Sequence, residues 1–507
     1  MPLNYYQLLM EGEIMNKKYS NTVFFVSISI SLAIVLWGLL SPLAFENISN
    51  WLFATISKQF GWFYVLSMAI FLSFSVWIAY FSRFKNIKLG KDDEKPEYSM
   101  FSWFSMLFSA GMGVGLIFWG VAEPLNYFLN PLNAVSGSRE AAIFAFNKSF
   151  LHWGVHPWAA YSTIGMALAY MQFRKDQKGL ISSLLIPLFG ENFGKTILGK
   201  SIDILTIIAT VAGIATSLGL GTYQINSGLN YIFGIPNSSF IQIIIVLITT
   251  IIVIISVSTP LEKGIKLISN LNIYLSIILL IFCFSVGPTV DILKTFIDGI
   301  GIYISNIIPN TFSIGAFEDN NWYGTWTLFY WAWFIAWAPF TGLFIARISR
   351  GRTIKEFITG VLLAPALVSF VWFSIFGRIA INSPLSVMKE AIVSTPTAYF
   401  VVMEHFPFGA LVSVFTIVLL FTFFVTSANS ATFVLGILSS DGDLNPSNKK
   451  KIIWALLQAG FALSLMIGSK NGLQMLQTAS ITLAFPFSFI MILCVLSFYK
   501  ELQKEKI

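Results

Sequence analysis

The sequence predicts an all-α membrane protein with 12 transmembrane helices. Of its 507 residues, 56% are hydrophobic and only 11% are charged, with a mean hydropathy of +0.75. Soluble domains carry about 25% charged residues. Twelve apolar runs are long enough to cross a bilayer, which takes about 20 residues. Lys and Arg concentrate in every second loop, as in polytopic membrane proteins.

The twelve runs fix a topology with both termini in the cytoplasm. They begin near residues 22, 60, 100, 149, 201, 238, 267, 325, 354, 407, 450 and 473. With this topology, 24 of the 31 Lys and Arg residues lie on the side of the termini, and cytoplasmic loops carry that excess. The first run, 22–43, is longer than the apolar core of a signal peptide and lacks a small-residue cleavage site. Met1 and Met15 are both candidates for the native start.

Two segments on the external side are predicted not to span the membrane. Residues 291–309 form an amphipathic pattern, with Asp291, Lys294 and Asp298 at helical spacing, which favours a helix lying in the membrane interface. Residues 123–148 contain clusters of Asn, Pro, Gly and Ser, which are typical of a loop.

The third and eighth spans contain residues that are unusual in a regular membrane helix. Gly111, Gly113 and Gly115 alternate in the third, which fits either a close-packing face or exposed backbone that lines a cavity. Pro339 and Gly342 are expected to interrupt the eighth. Because the two spans lie five apart, spans 3–7 and 8–12 form two sets of five. Interrupted helices at matching positions of inverted repeats mark the binding site of many secondary transporters.

The aromatic residues of the eighth span favour a binding site over a packed core. Phe329, Trp333 and Trp337 share one helical face, with Phe334 beside them. Aromatic faces hold quaternary ammonium groups through cation–π attraction, whereas three indoles are difficult to pack because each N–H needs an acceptor. Spans 4, 8 and 10 contain no Asp or Glu, although a primary amine or a simple cation would more often require one.

Other polar residues within the spans have two readings. His152 and His156 in the fourth span are expected to be satisfied by carbonyl groups. In the tenth span, the hydroxyls of Thr426, Ser427 and Ser430 and the amide of Asn429 either bond within the helix or serve as oxygen ligands for a small cation.

Enzymatic and structural-metal functions are disfavoured. Cys283 and Cys494 lie in apolar runs, so a disulfide framework or a metal site is not expected. No nucleophile–base pair is visible, and no cofactor is predicted apart from a coupling ion. The net charge of +7 is explained by the cytoplasmic loops rather than by nucleic acid.

Three stretches resemble the betaine/choline/carnitine transporter family, and the resemblance runs in order across all twelve spans. They are GMGVGLIFWGVAEP (111–124), HWGVHPW (152–158) and GTWTLFYWAWFIAWAPFTGLFIARISRGRT (324–353). The resemblance implies two leading helices followed by a 5+5 inverted-repeat core of the LeuT type, commonly assembled as a homotrimer. The implied units are a cytoplasmic tail (1–21), two leading helices (22–99), a first five-helix repeat (100–289), an external amphipathic helix and loop (290–324), a second repeat (325–498) and a cytoplasmic tail (499–507).

The resemblance also implies roles for individual residues. Trp333, Phe334 and Trp337 would form the cage for the trimethylammonium group, and Phe329 would help to gate it. Backbone N–H groups of the stretch Gly111, Met112, Gly113 and Gly115 would meet the substrate carboxylate. Trp153, Trp158 and Tyr161 would form an aromatic box on the same route. The implied sodium ligands are Ala110, Met112, Phe423, Thr426 and Ser427, with Thr210 at a possible second sodium site.

The resemblance favours sodium-coupled uptake of glycine betaine or a related quaternary ammonium or sulfonium zwitterion across the cell membrane. Proton-coupled relatives usually carry an aspartate where this chain has Gly115, and sodium-independent exchangers carry an arginine in the fifth span, where residues 201–231 contain no Lys or Arg. A proton-coupled or exchange-type choline or carnitine transporter is the alternative, and a channel or receptor is a third reading. The chain departs from betaine carriers at Phe334 (usually Trp), at Asn429 (usually Asp) and in its short tail KELQKEKI.

Overall fold

The computed structural model describes residues 3–111, 113–258, 261–317, 321–467 and 471–506, with side chains described except for 3–21, 108–111, 258, 261–267 and 269. Throughout these ranges the chain is built from helices and their connections. In chain order the helices are α1 (Leu3–Leu40), α2 (Pro42–Val76), α3 (Met100–Gly111), α4 (Gly113–Leu129), α5 (Arg139–Trp153), α6 (Val155–Ala169), α7 (Ile181–Leu184), α8 (Ile186–Phe189), α9 (Ile197–Phe233), α10 (Ser239–Ser258), α11 (Leu261–Val286), α12 (Thr289–Thr311), α13 (Phe329–Ile348), α14 (Ile354–Ile381), α15 (Leu385–Ala391), α16 (Ala398–Glu404), α17 (Gly409–Leu438), α18 (Asn448–Ile467) and α19 (Gly472–Leu502). Short π-helical turns cover Trp77–Phe81, Tyr170–Arg174 and Gly324–Leu328, and single 3-10 turns cover Arg83–Asn86 and Phe193–Lys195.

Ten helices in the described part of the chain are long and apolar enough to cross a membrane. Nine of them coincide with predicted spans, and the tenth is α12, which the sequence placed in the interface. The three other predicted spans are not in this set: the third is described as α3 and α4 on either side of Met112, the fourth is α5 and α6, and the described side chains of the seventh, within α11, cover mainly Asn270–Val286. The protein is therefore a multi-pass, all-helical membrane protein, while the twelve-span topology and the inverted repeat stay predictions.

Two expectations about individual segments are wrong. The second predicted span is not one of them: its helix begins at Pro42, ahead of the apolar run that begins near residue 60, and proline is well tolerated at the first helical position. The predicted loop 123–148 is helical at both ends and irregular only between α4 and α5. Pro339 does not interrupt the eighth span, since α13 continues through it, and neighbouring helices support such a position in membrane helices.

Helix α13 lies at the centre of the protein. In its most apolar stretch 94% of the residues are buried, against 33% in the first span. Its most extensive partner is α6, and it also packs on α9 and α19. A Cβ atom on Gly342 would lie 3.1 Å from the backbone nitrogen of Gly165, so this glycine lets α13 and α6 approach closely rather than breaking the helix.

The segment after α13 is anchored to the start of the third span. Arg352 Nη2 donates to the carbonyl oxygen of Tyr98 at 2.8 Å, and its guanidinium lies 4.0 Å from the ring centroid of Trp103. The indole Nε1 of Trp103 donates to Ser349 Oγ at 2.9 Å. The ARISRGRT stretch therefore joins the first helices of the two predicted repeats.

The C-terminal tail is bound to the end of the fourth span by ion pairs. Glu505 accepts two hydrogen bonds from Arg174, at 3.1 Å from Nε and 2.9 Å from Nη2, and one from the hydroxyl of Tyr170 at 2.6 Å. Lys175 Nζ lies 3.0 Å from the same carboxylate. Hydrogen bonds from Arg174 hold the pKa of Glu505 down, to about 2. A short tail is thus ordered against the helical core.

This carboxylate makes stability depend on pH. Because its pKa is lowered in the folded protein, its contribution is present above the ordinary pKa of about 4.5 and is lost as the pH falls toward 2. We expect Glu505→Gln to lower the Tm of the purified protein at pH 7 by about 1–2 °C. The difference from the wild type should shrink as the pH is lowered below 4.5. Glu191→Gln, at an exposed position in another loop, is the control; a difference that grows on acidification would contradict the prediction.

Candidate functional site: an aromatic cluster around helix α13

Four aromatic side chains of α13 form a continuous cluster. Trp333 stacks on Phe329, with ring centroids 5.5 Å apart and planes 13° from parallel, and on Phe334 at 5.7 Å and 19°. Trp337 meets the edge of Trp333 at 6.3 Å. Trp333, Phe334 and Trp337 are only 4%, 4% and 7% exposed. The structure therefore brings together all four residues that the sequence proposed for the cage and its gate.

The indole N–H groups of this cluster are not all satisfied. Trp337 Nε1 donates to the carbonyl oxygen of Gly213 on α9 at 2.8 Å. Trp333 Nε1 and Trp158 Nε1 are buried without a hydrogen-bond partner among the described residues. A buried donor that is left unpaired costs about 1–3 kcal/mol.

The aromatic residues of the fourth span adjoin this cluster. Trp153 packs edge-to-face against Trp333 at 6.3 Å and against Phe334 at 5.7 Å. Tyr161 meets Phe334 at 6.0 Å, and Trp158 meets Tyr161 at 5.5 Å. Phe334 thus connects the predicted cage with the predicted box, and the two groups are one aromatic cluster.

The glycines of the third span lie directly against these rings. A Cβ atom on Gly115 would be 2.7 Å from Trp153 Cη2 and 3.1 Å from Trp333 Cη2. Helices α3 and α4 lie on either side of Met112, which is outside the described residues. Gly115 therefore fits the close-packing reading of these glycines, while exposed backbone that lines a cavity stays a prediction.

The fourth span is divided into two helices, which the sequence did not predict. Between α5 and α6, Gly154 adopts φ −84° and ψ −141°, outside helical geometry. Tyr303 of α12 accepts a hydrogen bond from the backbone N–H of Val155 at 3.1 Å, which caps the start of α6. Pro157 in the first turn of α6 was the available signal, since proline is tolerated there because that turn's N–H groups lack helical acceptors.

A buried polar network lies beside the aromatic cluster and centres on Glu123. Its Oε2 accepts from Trp153 Nε1 at 2.8 Å and from the hydroxyl of Tyr330 at 2.6 Å, and its Oε1 lies 2.9 Å from His152 Nδ1. The other ring nitrogen of His152 lies 3.0 Å from Thr327 Oγ1. The expectation that carbonyl groups satisfy the histidines is wrong for His152, because a carboxylate from another span reaches it.

His156 and Lys148 bind the end of α12 instead. His156 Nε2 lies 2.8 Å from Thr311 Oγ1, so its partner is a hydroxyl rather than a carbonyl group. Lys148 Nζ donates to Asn310 Oδ1 at 2.9 Å. These contacts hold α12 against the divided fourth span, on the side that the topology predicts to be external.

The predicted sodium ligands are only partly described. A Cβ atom on Gly113 would be 3.1 Å from Phe423 Cδ1, so the third and tenth spans meet there. Thr426 Oγ1 donates to the carbonyl oxygen of Thr422 at 2.8 Å and accepts from Asn272 Nδ2 at 3.0 Å. Ser427 is partly buried on the same helix. Met112 and the side chain of Ala110 lie outside the described residues.

The candidate for a second ion site lies on α9. Thr210 donates its hydroxyl to the carbonyl oxygen of Thr206 at 2.8 Å. It precedes Gly213, whose carbonyl group binds Trp337, by about one helical turn. Among the described residues no cluster of three or more His, Cys, Asp or Glu side chains suits a metal ion.

Comparison with known proteins identifies the family. The family model described as "BCCT, betaine/carnitine/choline family transporter" matches residues 22–507. The chain belongs to this transporter family. The resemblance seen in the sequence is thereby confirmed, and the family is one of membrane transporters rather than enzymes.

Curated members of the family match over almost the whole chain. The glycine betaine transporter OpuD of Bacillus subtilis is 45% identical over 96% of both chains. The ectoine/hydroxyectoine transporter of Virgibacillus pantothenticus is 42% identical over 97% of this chain and 98% of its own. The ectoine/glycine betaine/proline transporter EctP of Corynebacterium glutamicum is 38% identical over 98% of this chain and 82% of its own.

Proposed function

We propose that the protein is a secondary active transporter that couples sodium entry to uptake of glycine betaine or a related quaternary ammonium or sulfonium zwitterion. The observation that carries the proposal is the buried cluster in which Trp333, Phe334, Trp337 and Trp153 converge. A trimethylammonium group donates no N–H hydrogen bond, and aromatic faces attract its diffuse charge with about 2 kcal/mol or more at a desolvated site.

The glycine-rich third span suits the other end of such a substrate. Gly115 of this span lies directly against Trp153 and Trp333. Glycine has no side chain, so a bound group can approach its backbone N–H closely. A carboxylate bound by backbone N–H groups of this stretch, as the family resemblance implies, would lie next to the aromatic cluster that holds the cation of the same molecule.

Sodium coupling is supported by the residues at two positions. The contact between Gly115 and two indoles leaves no room for the aspartate that proton-coupled relatives usually carry. Thr426 and Ser427 place hydroxyl oxygens on α17, the helix whose Phe423 lies against Gly113 of the third span. Hydroxyl and backbone carbonyl oxygens are hard ligands suited to a small cation in broken-helix transporters.

The names of the relatives indicate a broader substrate class, compact zwitterions, and suggest a physiological role. The names of those compared include glycine betaine, ectoine, hydroxyectoine and proline. Glycine betaine, ectoine and proline are compact zwitterions, so a role in osmoprotection follows for this chain. We place the protein in the cell membrane with both termini in the cytoplasm and propose the homotrimer that is common in the family.

Uptake into proteoliposomes tests the proposal. Labelled glycine betaine should accumulate when sodium is supplied outside, and a tenfold inward sodium gradient supports about tenfold accumulation for each coupled ion. Vesicles with potassium in place of sodium are the control. Uptake that ignores sodium but follows a pH gradient, or that requires internal substrate, would instead identify the proton-coupled or exchange-type choline or carnitine transporter.

A further inference from the structure

A single carboxylate connects three of the elements that build the aromatic cluster. Glu123 lies on α4, and its partners Trp153 and Tyr330 lie on α5 and α13. Its side chain is fully buried, as is that of His152, which lies against the other carboxylate oxygen. Spans 4, 8 and 10 contain no carboxylate of their own, so Glu123 reaches the aromatic residues only through the packing of α4.

A buried carboxylate is costly unless hydrogen bonds compensate for its lost hydration. Here two donors converge on Oε2, at 2.8 and 2.6 Å, while His152 lies 2.9 Å from Oε1. Hydrogen bonds to a charged acceptor are shorter and about twice as strong as neutral ones. An apolar side chain would fill the same space without this cost, so plain packing does not explain the arrangement.

The hydrogen bond to Glu123 determines how the Trp153 indole is oriented. With Nε1 bound to the carboxylate, the opposite edge of the indole lies against Gly115. The ring plane then stands at 87° to Trp333 and at 85° to Phe334. Without the acceptor, rotation of the indole would move its edge relative to both rings.

We propose that Glu123 is the positioning residue of the substrate site: it fixes the indole of Trp153 and the phenol of Tyr330 so that the aromatic cluster presents one defined surface to the ammonium group. The proposal rests on the proposed function, because it takes that cluster as the substrate site. Glu123 acts through the aromatic rings, and the substrate itself meets those rings.

The network extends the same constraint toward the start of α13. His152 Nε2 lies 3.0 Å from Oγ1 of Thr327, which belongs to the π-helical turn Gly324–Leu328. The hydroxyl of Tyr127 lies 3.2 Å from His152 Nδ1. The imidazole therefore bridges Glu123 and the turn that precedes Phe329. The orientation of the indole and the position of that turn depend on the same carboxylate.

A double-mutant cycle between Glu123→Gln and Trp153→Phe tests the proposal. Gln preserves the volume and one acceptor, and Phe preserves an aromatic ring but removes the N–H donor. We expect each single variant to raise the KM for glycine betaine uptake about tenfold, with a smaller change in Vmax per folded transporter. Because both changes act on the same hydrogen bond, Gln by weakening its acceptor and Phe by removing its donor, the double variant should be no more than about twofold worse than the more severely affected single variant.

The matched control is Asp203→Asn. Asp203 is another fully buried carboxylate outside the aromatic cluster, and it accepts hydrogen bonds from the backbone N–H and the hydroxyl of Ser182. Its KM should stay within about twofold of the wild type. Unchanged KM in Glu123→Gln, or additive losses in the double variant, would overturn the proposal. A wild type that neither binds nor transports glycine betaine would overturn the proposed function instead.

Discussion

Replacing Trp333 with alanine is expected to weaken the binding of glycine betaine about 30-fold and to reduce uptake accordingly. The ring of Trp333 contacts all four of its aromatic neighbours: Phe329, Phe334, Trp337 and Trp153. Its removal therefore opens the centre of the cluster. Losing a desolvated cation–π contact of about 2 kcal/mol lowers affinity about 30-fold. Initial uptake rates and binding of labelled substrate to the purified variant measure the effect.

Truncating a buried tryptophan to alanine costs about 3–5 kcal/mol of stability. Trp333→Phe, which removes less volume, should therefore be measured beside the alanine variant. Phenylalanine keeps a ring but is a weaker cation–π partner, so an intermediate affinity is expected. Trp454→Phe is the matched control: Trp454 is also fully buried, with Nε1 bonded to Ser439 at 2.9 Å, and it lies on α18. Normal transport by Trp333→Ala would show that the aromatic cluster is not the substrate site.

Adding one methyl group at Gly115 is expected to have an effect of similar size. The Cβ atom would lie 2.7 Å from Trp153 Cη2 and 3.1 Å from Trp333 Cη2, and both atoms belong to rigid rings that cannot move singly. Overpacking a well-packed interior costs about 1–3 kcal/mol. If this cost destabilises the substrate-bound protein relative to the free protein, affinity falls about 5- to 150-fold. Substrate binding and uptake of Gly115→Ala measure this loss.

Gly301→Ala is the control for the glycine substitution. Gly301 lies within α12, and a Cβ atom there would meet nothing within 4 Å. This variant should be neutral or slightly stabilising, since alanine favours the helix over glycine. If Gly115→Ala binds and transports substrate like the wild type, the indoles are free to move, and the close packing of the third span against the cluster is not required for function.

The sequence was informative about the aromatic cluster because its members are close in the chain or follow helical spacing. Phe329, Trp333 and Trp337 are separated by four residues, and the structure stacks or joins them as that spacing predicts. Gly115 was recognised as unusual because glycine is unfavourable in a helix interior. Local rules thus pointed to the third and eighth spans, and the family resemblance added the fourth.

Interactions between spans could not be derived in the same way. Glu123 looked like a residue near a span end, and only the packing of α4 against α5 and α13 gives it Trp153, His152 and Tyr330 as partners. Pro339 was expected to break α13, but the helix remains continuous where surrounding helices enclose it. In both cases tertiary packing decided the outcome, and the local sequence does not encode which helices will be neighbours.

The hydrogen bond from Trp337 to Gly213 has a thermodynamic consequence. It attaches one wall of the aromatic cluster to the backbone of α9, the helix that also carries Thr210 about one turn away. An ion that shifts this turn of α9 would change the free energy of substrate binding, and by linkage the substrate would change ion affinity by the same factor. Cooperativity between substrate and a second sodium ion could then be transmitted through one indole and one carbonyl group, without direct contact between the two ligands.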